Sequence, residues 1–211
     1  LALNHETTHS QEASRTLALL RAKALRLTGR LDEALSDIKQ LNATVRHGET
    51  PRDFLAELRI VEASCLWRLN QVDAAILALK RVREELLGGP DGLLLVSCAY
   101  ELSSALLFAG AHAAARHMCL EAIVSARRVG APLYEALALE NLHRLERSKC
   151  RWIAAREAGA DAYAIQSSAG RRLSMGTVSS GLGIVAWKTG RLAEARELGT
   201  RALGDLVEIR G

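Results

Sequence analysis

One turn sequence recurs five times along this chain, and its spacing limits the fold more than any other feature. The clearest copies read Gly-Arg-Leu-x-Glu-Ala, at residues 29–34 and 190–195. Every copy ends in an alanine, and these alanines stand about forty residues apart, at Ala34, Ala75, Ala115, Ala155 and Ala195. A fixed period of this length is typical of chains that stack one supersecondary unit after another. The sequence therefore predicts a repeat architecture of five units.

Each repeat carries two further marks of a helical hairpin. Seven residues after the shared alanine comes an apolar residue, which is Leu41, Val82, Ala122, Ala162 or Ala202. Two helical turns separate the pair, so both residues lie on one face of a helix. Five residues before the alanine the chain has Gly29, Asn70, Gly110, Cys150 or Gly190. Glycine and asparagine tolerate the left-handed conformation that ends a helix, so we expect the fourth turn, with Cys150, to differ locally.

The composition agrees with a chain built only from helices. The strong helix formers Ala, Leu, Arg and Glu dominate, and the three prolines all fall between apolar segments. We predict the first helices of the hairpins, called helices A, at residues 11–28, 52–69, 92–109, 133–148 and 172–189. We predict the second helices, called helices B, at residues 31–46, 73–87, 112–129, 152–168 and 192–209.

The repeats form one predicted domain, residues 11–211, after a polar segment, residues 1–10, that we expect to be frayed. Its units cover about 11–46, 52–87, 92–129, 133–168 and 172–209. One hairpin cannot bury both of its apolar stripes, whereas stacked hairpins bury a continuous seam, and five exceed the roughly three needed for stability. Because the chain starts at Leu1 rather than at a methionine, we expect it to be part of a longer protein.

The Gly-x-x-x-x-Ala turn and the small residue seven positions later resemble the tetratricopeptide repeat, whose usual length is about 34 residues. Longer units that are rich in Ala, Leu and Arg resemble the tetratricopeptide-like region of MalT-type regulators of the bacterial LuxR class. The resemblance implies an all-α, right-handed superhelical solenoid of five hairpins, about ten helices, whose helices A line a concave groove. It also implies a sensor that lies between a nucleotide-hydrolysing switch and a helix-turn-helix.

Catalytic and cofactor-binding patterns find little support. The glycine-rich stretch 176–183 lacks the lysine of a phosphate loop and falls inside a predicted helix A, so we expect it to serve close helix packing. His112 and His117 are five residues apart and therefore lie on different faces of a helix. The four cysteines contain no Cys-x-x-Cys pair, which makes a zinc site of the usual spacing improbable. We predict a protein that is no enzyme and uses neither a cofactor nor a metal.

Charge and hydropathy set the remaining limits. The formal net charge of +4 does not favour nucleic-acid binding, which usually concentrates basic residues on one face. No apolar run reaches the roughly 18 residues of a membrane span. The widely spaced cysteines suit small buried side chains in a reducing compartment. We therefore expect a cytoplasmic protein without a membrane segment.

The tetratricopeptide resemblance places particular helix A residues in the groove, at 18, 15, 11, 8 and 7 positions before the shared alanine. The binding candidates among them are Lys23, Arg26, Trp67, Arg68, Tyr100, Ser104, Phe108, Glu140, Arg144, Arg147, Trp187 and Lys188. Aromatic and arginine side chains recur in this set, and binding hot spots favour both. Two interpretations stay open for Trp67 and Trp187, which either face the groove or fill gaps between neighbouring helices A.

The fourth repeat departs most from its neighbours because its helix A is polar and mostly basic. We expect Arg144 and Arg147 to be exposed. The basic cluster there either meets an acidic partner or anionic ligand, or forms an ordinary solvated face.

The sequence thus predicts a ligand- or protein-binding sensor or interaction module of a larger bacterial signalling or transcriptional regulator. Its ligand would be a protein, a peptide or a small-molecule effector bound in the groove, and self-association is a further option. The alternative is a passive protein–protein scaffold or adaptor without a switching role.

Overall fold

Ten α-helices, and no β-strand, occupy the part of the chain that the computed structural model describes, namely residues 2–45, 50–89 and 92–207. Helices A are α1 (Ala2–Leu27), α3 (Arg52–Arg68), α5 (Gly92–Phe108), α7 (Pro132–Ser148) and α9 (Arg172–Lys188). Helices B are α2 (Leu31–Thr44), α4 (Val72–Leu86), α6 (His112–Val129), α8 (Trp152–Ser168) and α10 (Leu192–Val207). The five predicted helical hairpins are therefore confirmed. No described helix is both long enough and apolar enough to cross a membrane.

Helix α1 begins well before its predicted start. The other observed helix ends lie within one or two residues of prediction, whereas α1 starts at Ala2 instead of residue 11. The expected polar segment 1–10 is thus helical from Ala2 onward, because it contains no glycine or proline that would stop a helix. Residue 1, residue 46 of the predicted second helix and residues 208–209 of the predicted last helix lie outside the described residues.

All five turns between helices A and B use the same left-handed backbone. The residue five positions before the shared alanine has φ between +55° and +80° in every repeat. Cys150, at φ +55°, is included, so the expectation that the fourth turn differs was wrong. Its N–H donates to Arg147 O at 3.1 Å, as that of Gly110 donates to Leu107 O at 3.1 Å. Cys150 is exposed, unlike the other cysteines, which are buried as predicted.

Replacing Cys150 with glycine is expected to raise the free energy of unfolding by about 0.5–1 kcal/mol. A side chain in the left-handed region costs about 1–2 kcal/mol, and the greater freedom of unfolded glycine offsets roughly half of that. Because the thiol is exposed, the substitution removes no core contact. Urea denaturation followed by circular dichroism measures the change.

The matched control for this substitution is Gly110→Cys, which places the same side chain in the equivalent turn. A Cβ at Gly110 would meet no atom within 4 Å, so only backbone strain is added. We expect a loss of stability of similar size. Equal or lower stability for Cys150→Gly would contradict the strain that the positive φ implies.

The shared alanines lie in the core of the hairpins or at its edge. Ala34, Ala75, Ala115 and Ala155 are fully buried, and Ala195 of the last repeat is half-buried. The apolar residue seven positions later is buried in all five repeats. The chain divides into two compact units, unit 1 up to Glu101 and unit 2 from Leu102 onward.

Candidate binding surface

Three of the predicted binding cations, Lys23, Arg26 and Arg68, are already neutralised within unit 1. Lys23 Nζ forms an ion pair with Glu57 Oε1. Arg26 Nη1 donates to Glu101 Oε1 at 3.2 Å and to Ser64 Oγ at 3.1 Å. Arg68 Nη1 lies 3.3 Å from Glu101 Oε2 and donates to the Ser64 carbonyl at 2.7 Å. Both arginines are half-buried, so these contacts hold them against the protein.

Glu101 is the centre of this arrangement, and only 4% of it is exposed. Trp67 Nε1 donates to its Oε2 at 3.1 Å, and the Arg68 guanidinium lies 4.0 Å from the centroid of the Trp67 ring. A buried carboxylate needs partners of this kind because leaving it unpaired away from water is costly. We call Arg26, Ser64, Trp67, Arg68 and Glu101 the Glu101 cluster. It joins helices α1, α3 and α5 within unit 1.

Sequence analysis missed Glu101 although a signal for it exists. It is the single charged residue of α5, whose other residues are uncharged and mostly apolar. A lone charge in such a helix indicates a buried group with assigned partners. Of the other predicted residues in unit 1, Trp67 and Tyr100 are half-buried.

Unit 2 contains a second buried carboxylate, Glu146 on α7, which is 1% exposed. Arg116 Nε donates to its Oε1 at 2.7 Å, and Arg151 Nη1 lies 3.3 Å from its Oε2. Nearby on α7, Asn141 Nδ2 donates to Ser103 Oγ at 3.0 Å and to Ser104 Oγ at 2.8 Å. The prediction that Ser104 lines the binding surface was therefore wrong, because it is buried beneath α7.

His143 on α7 is buried and fits between two glycines. Its Nδ1 lies 2.6 Å from the Ala155 carbonyl, so Nδ1 carries the proton and Nε2 is a bare acceptor. A Cβ at Gly159 would lie 2.7 Å from Nδ1, and one at Gly181 would overlap the ring at Nε2. Burial lowers the pKa of His143, and Arg147 and Arg144 lower it further against the raising effect of the Ala155 hydrogen bond. The neutral ring is therefore favoured.

Arg144 and Arg147 lie near His143, and Arg144 and Arg171 lie near Glu140. Arg144 is exposed as predicted, whereas Arg147 is half-buried and corrects that prediction. Burial lowers the pKa of Arg147, and the neighbouring Arg144 lowers it further. Burial raises the pKa of Glu140, which Arg144 and Arg171 oppose. None of the three guanidinium groups forms a hydrogen bond or ion pair with another described residue.

Two predicted aromatic residues of unit 2 are open to solvent. Phe108 at the end of α5 is 56% exposed, and Trp187 near the end of α9 is 57% exposed. Lys188, which is also exposed, places its Nζ 4.3 Å from the centroid of the Trp187 ring. Trp187 lines a shallow apolar groove between α9 and α10 with Ile184 and Leu192. For the two tryptophans whose role the sequence left open, Trp187 is exposed and Trp67 is half-buried.

The described residues include no group of three His, Cys, Asp or Glu side chains that could hold a metal ion. Burial raises the pKa of both Cys65 and Cys119 to about 11, so each is a protonated thiol at neutral pH. Such thiols are poor nucleophiles, since the thiolate is the reactive form.

No protein-family model and no curated protein matches the sequence, whereas many solved structures match the fold. The Rap conjugation gene regulator of plasmid pLS20, in complex with the Phr* peptide, has a TM-score of 0.80 at 13% identity over 98% of this chain and 57% of its own. A Rap protein complexed with Competence and Sporulation Factor has a TM-score of 0.78 at 15% identity over 90% of this chain and 54% of its own.

A third similar structure is a signal transduction ATPase with a tetratricopeptide repeat sensor from Pyrococcus horikoshii. It has a TM-score of 0.77 at 16% identity over 94% of this chain and 30% of its own. Because the identities are this low, these structural similarities establish the fold alone. They confirm the predicted all-α, tetratricopeptide-like repeat fold. The chain spans about half the length of the two Rap structures.

Proposed function

We propose that this chain is a peptide- or protein-binding module of a larger signalling regulator and that it holds its ligand on the exposed face of helices A in unit 2. The observation that carries the proposal is the exposure of Phe108, Arg144 and Trp187 on helices A of unit 2, with Lys188 Nζ over the Trp187 ring. Large aromatic and arginine side chains dominate binding hot spots, since they bury much area at a small entropic cost. The Rap regulator with a bound Phr* peptide is a precedent on the same fold.

We further propose a sensor role of the MalT type within such a regulator. The Gly-Arg-Leu-x-Glu-Ala turns support it, as does the similarity to a signal transduction ATPase that carries a tetratricopeptide repeat sensor. A sensor responds only if the ligand binds one conformation more tightly than another, because equal affinities shift no equilibrium. A ligand of that kind stabilises the chain and changes its conformation together.

The test is to select random linear peptides, displayed on phage, for binding to the whole chain. We expect Phe108→Ala and Trp187→Ala each to weaken binding of the selected peptides by about tenfold or more. The matched control is Ile153→Ala on α8, a helix B, because Ile153 is 78% exposed and lies outside the proposed face. Fluorescence anisotropy of labelled peptides measures the affinities.

Two results would count against this function. One is a selection that enriches no peptide. The other is a set of peptides that bind both aromatic variants as tightly as they bind the unmodified chain. A loss with Ile153→Ala equal to the loss with Trp187→Ala would place the ligand on another surface.

A further inference from the structure

The cations on the proposed binding face differ between the two units in their ion-pair partners. In unit 1, Lys23 has Glu57 as its partner, and Arg26 and Arg68 share Glu101. In unit 2, Glu140 lies near Arg144 and Arg171, and none of Arg144, Arg147 and Arg171 forms an ion pair with another described residue. Among the described residues, these three cations of unit 2 therefore have no ion-pair partner.

The structure fixes the position of the Arg147 guanidinium within this group of cations. Its guanidinium lies against α9, since a Cβ at Gly181 would be only 2.8 Å from Nη1. Arg144 adds a like charge nearby and contributes to the lowered pKa of Arg147. A half-buried cation without an anionic partner is unfavourable, and most arginines avoid it by reaching into solvent. Binding an anion would remove that penalty.

We propose that Arg144 and Arg147 bind a carboxylate of the peptide ligand, which deepens the proposed function and rests on it. The planar guanidinium matches a carboxylate with two parallel hydrogen bonds, and such charge-assisted pairs are stronger than neutral ones. Glu140, close by on the same helix, balances part of the positive charge while the site is empty.

The repeat register adds a second requirement for the ligand. Arg147 on α7 and Trp187 on α9 both stand eight positions before the shared alanine of their repeats. Packed helices lie about 8–10 Å apart, and an extended peptide rises about 3.3 Å per residue. The preferred ligand therefore carries its carboxylate about two or three residues from an apolar side chain that covers Trp187.

The peptides selected on the whole chain test this site directly. We expect them to be enriched in acidic residues, and we expect Arg144→Gln and Arg147→Gln each to weaken their binding by about 10- to 100-fold. Arg128→Gln on α6 is the control, because Arg128 is exposed on a helix B and the substitution changes the charge equally. Replacing the peptide's Asp or Glu with Asn or Gln tests whether the site binds a side-chain carboxylate. Amidation of the peptide's C-terminus tests whether it binds the terminal carboxylate.

A second measurement needs no peptide. Sodium citrate, compared with sodium chloride of equal ionic strength, is expected to raise the melting temperature of the unmodified chain but not that of the two arginine variants. Without citrate, Arg147→Gln should melt no lower than the unmodified chain. If Arg147 instead held α7 to α9, the variant would melt at a lower temperature.

The outcomes separate the site from the function. Peptides that need Trp187 but have no acidic preference, or that bind both arginine variants at full affinity, would overturn the carboxylate site and leave the proposed function standing. Citrate stabilisation that depends on Arg147, in a chain that selects no peptide, would support the site and count against the function.

Discussion

Glu101→Ala is expected to lower the free energy of unfolding by about 3–5 kcal/mol, which is the usual effect of removing one partner from a buried ion pair. The carboxylate accepts contacts from Arg26, Trp67 and Arg68, and only 4% of it is exposed. Without it, two guanidinium groups and an indole N–H lose this acceptor in a partly dry site.

The lower half of that range is the closer expectation. The Arg26 and Arg68 side chains are 19% and 26% exposed, so water reaches them and limits the penalty. Both also keep their hydrogen bonds to Ser64 after the substitution. Urea denaturation of the whole chain, followed by circular dichroism and by tryptophan fluorescence, measures the loss.

Glu85→Ala is the matched control, since Glu85 is paired with Arg59 on the surface of the same unit. The two side chains are 56% and 41% exposed, although the Nη1–Oε2 distance is 2.7 Å. An exposed pair contributes about 0–1 kcal/mol. Equal effects of the two substitutions would mean that the Glu101 cluster contributes no more than a surface ion pair.

The helices were predictable because their signals are local. Periodic apolar residues, left-handed turns after each helix A and prolines between hairpins all act over a few residues. The predicted start of α1 was wrong for the same reason. The segment before residue 11 has no apolar periodicity that would indicate a helix, and it also has no residue that stops one. At Cys150 the hydrogen bonds of the turn overrode the preference of the residue itself.

The binding surface was less predictable because exposure depends on residues one repeat away. Ser104 and Arg144 share a register position, yet Asn141, 37 residues after Ser104, buries the first while the second is exposed. Glu101 likewise lies 33 residues from Arg68 and 75 residues from Arg26. No local pattern in the sequence encodes such contacts, and only Glu101, a lone charge in an apolar helix, left a trace.

The glycine-rich stretch of α9 leads to the second large effect, since Gly181→Ala is expected to lower the free energy of unfolding by about 3 kcal/mol. The added methyl group would overlap the ring of His143, which is 1% exposed and bonded to the Ala155 carbonyl. Gly159 lies against the ring at Nδ1, so the imidazole cannot move toward α8 without meeting that backbone. Overpacking costs about 1–3 kcal/mol, and breaking the Nδ1 hydrogen bond adds about 1–3 kcal/mol. The better helix propensity of alanine returns about 1 kcal/mol of this.

Gly183→Ala separates this clash from any general effect of adding a methyl group to α9. A Cβ at Gly183, also buried, would meet its nearest atom at 3.5 Å, which is ordinary contact. Its expected change is a gain of about 0.5–1 kcal/mol from helix propensity, opposite in sign to that of Gly181→Ala. Combining Gly181→Ala with His143→Ala should lose less than the sum of the single losses, by about 2 kcal/mol, because the methyl group then occupies the space of the ring. Strict additivity would mean that the ring and the glycine do not constrain each other, and the buried position of His143 would then need another cause.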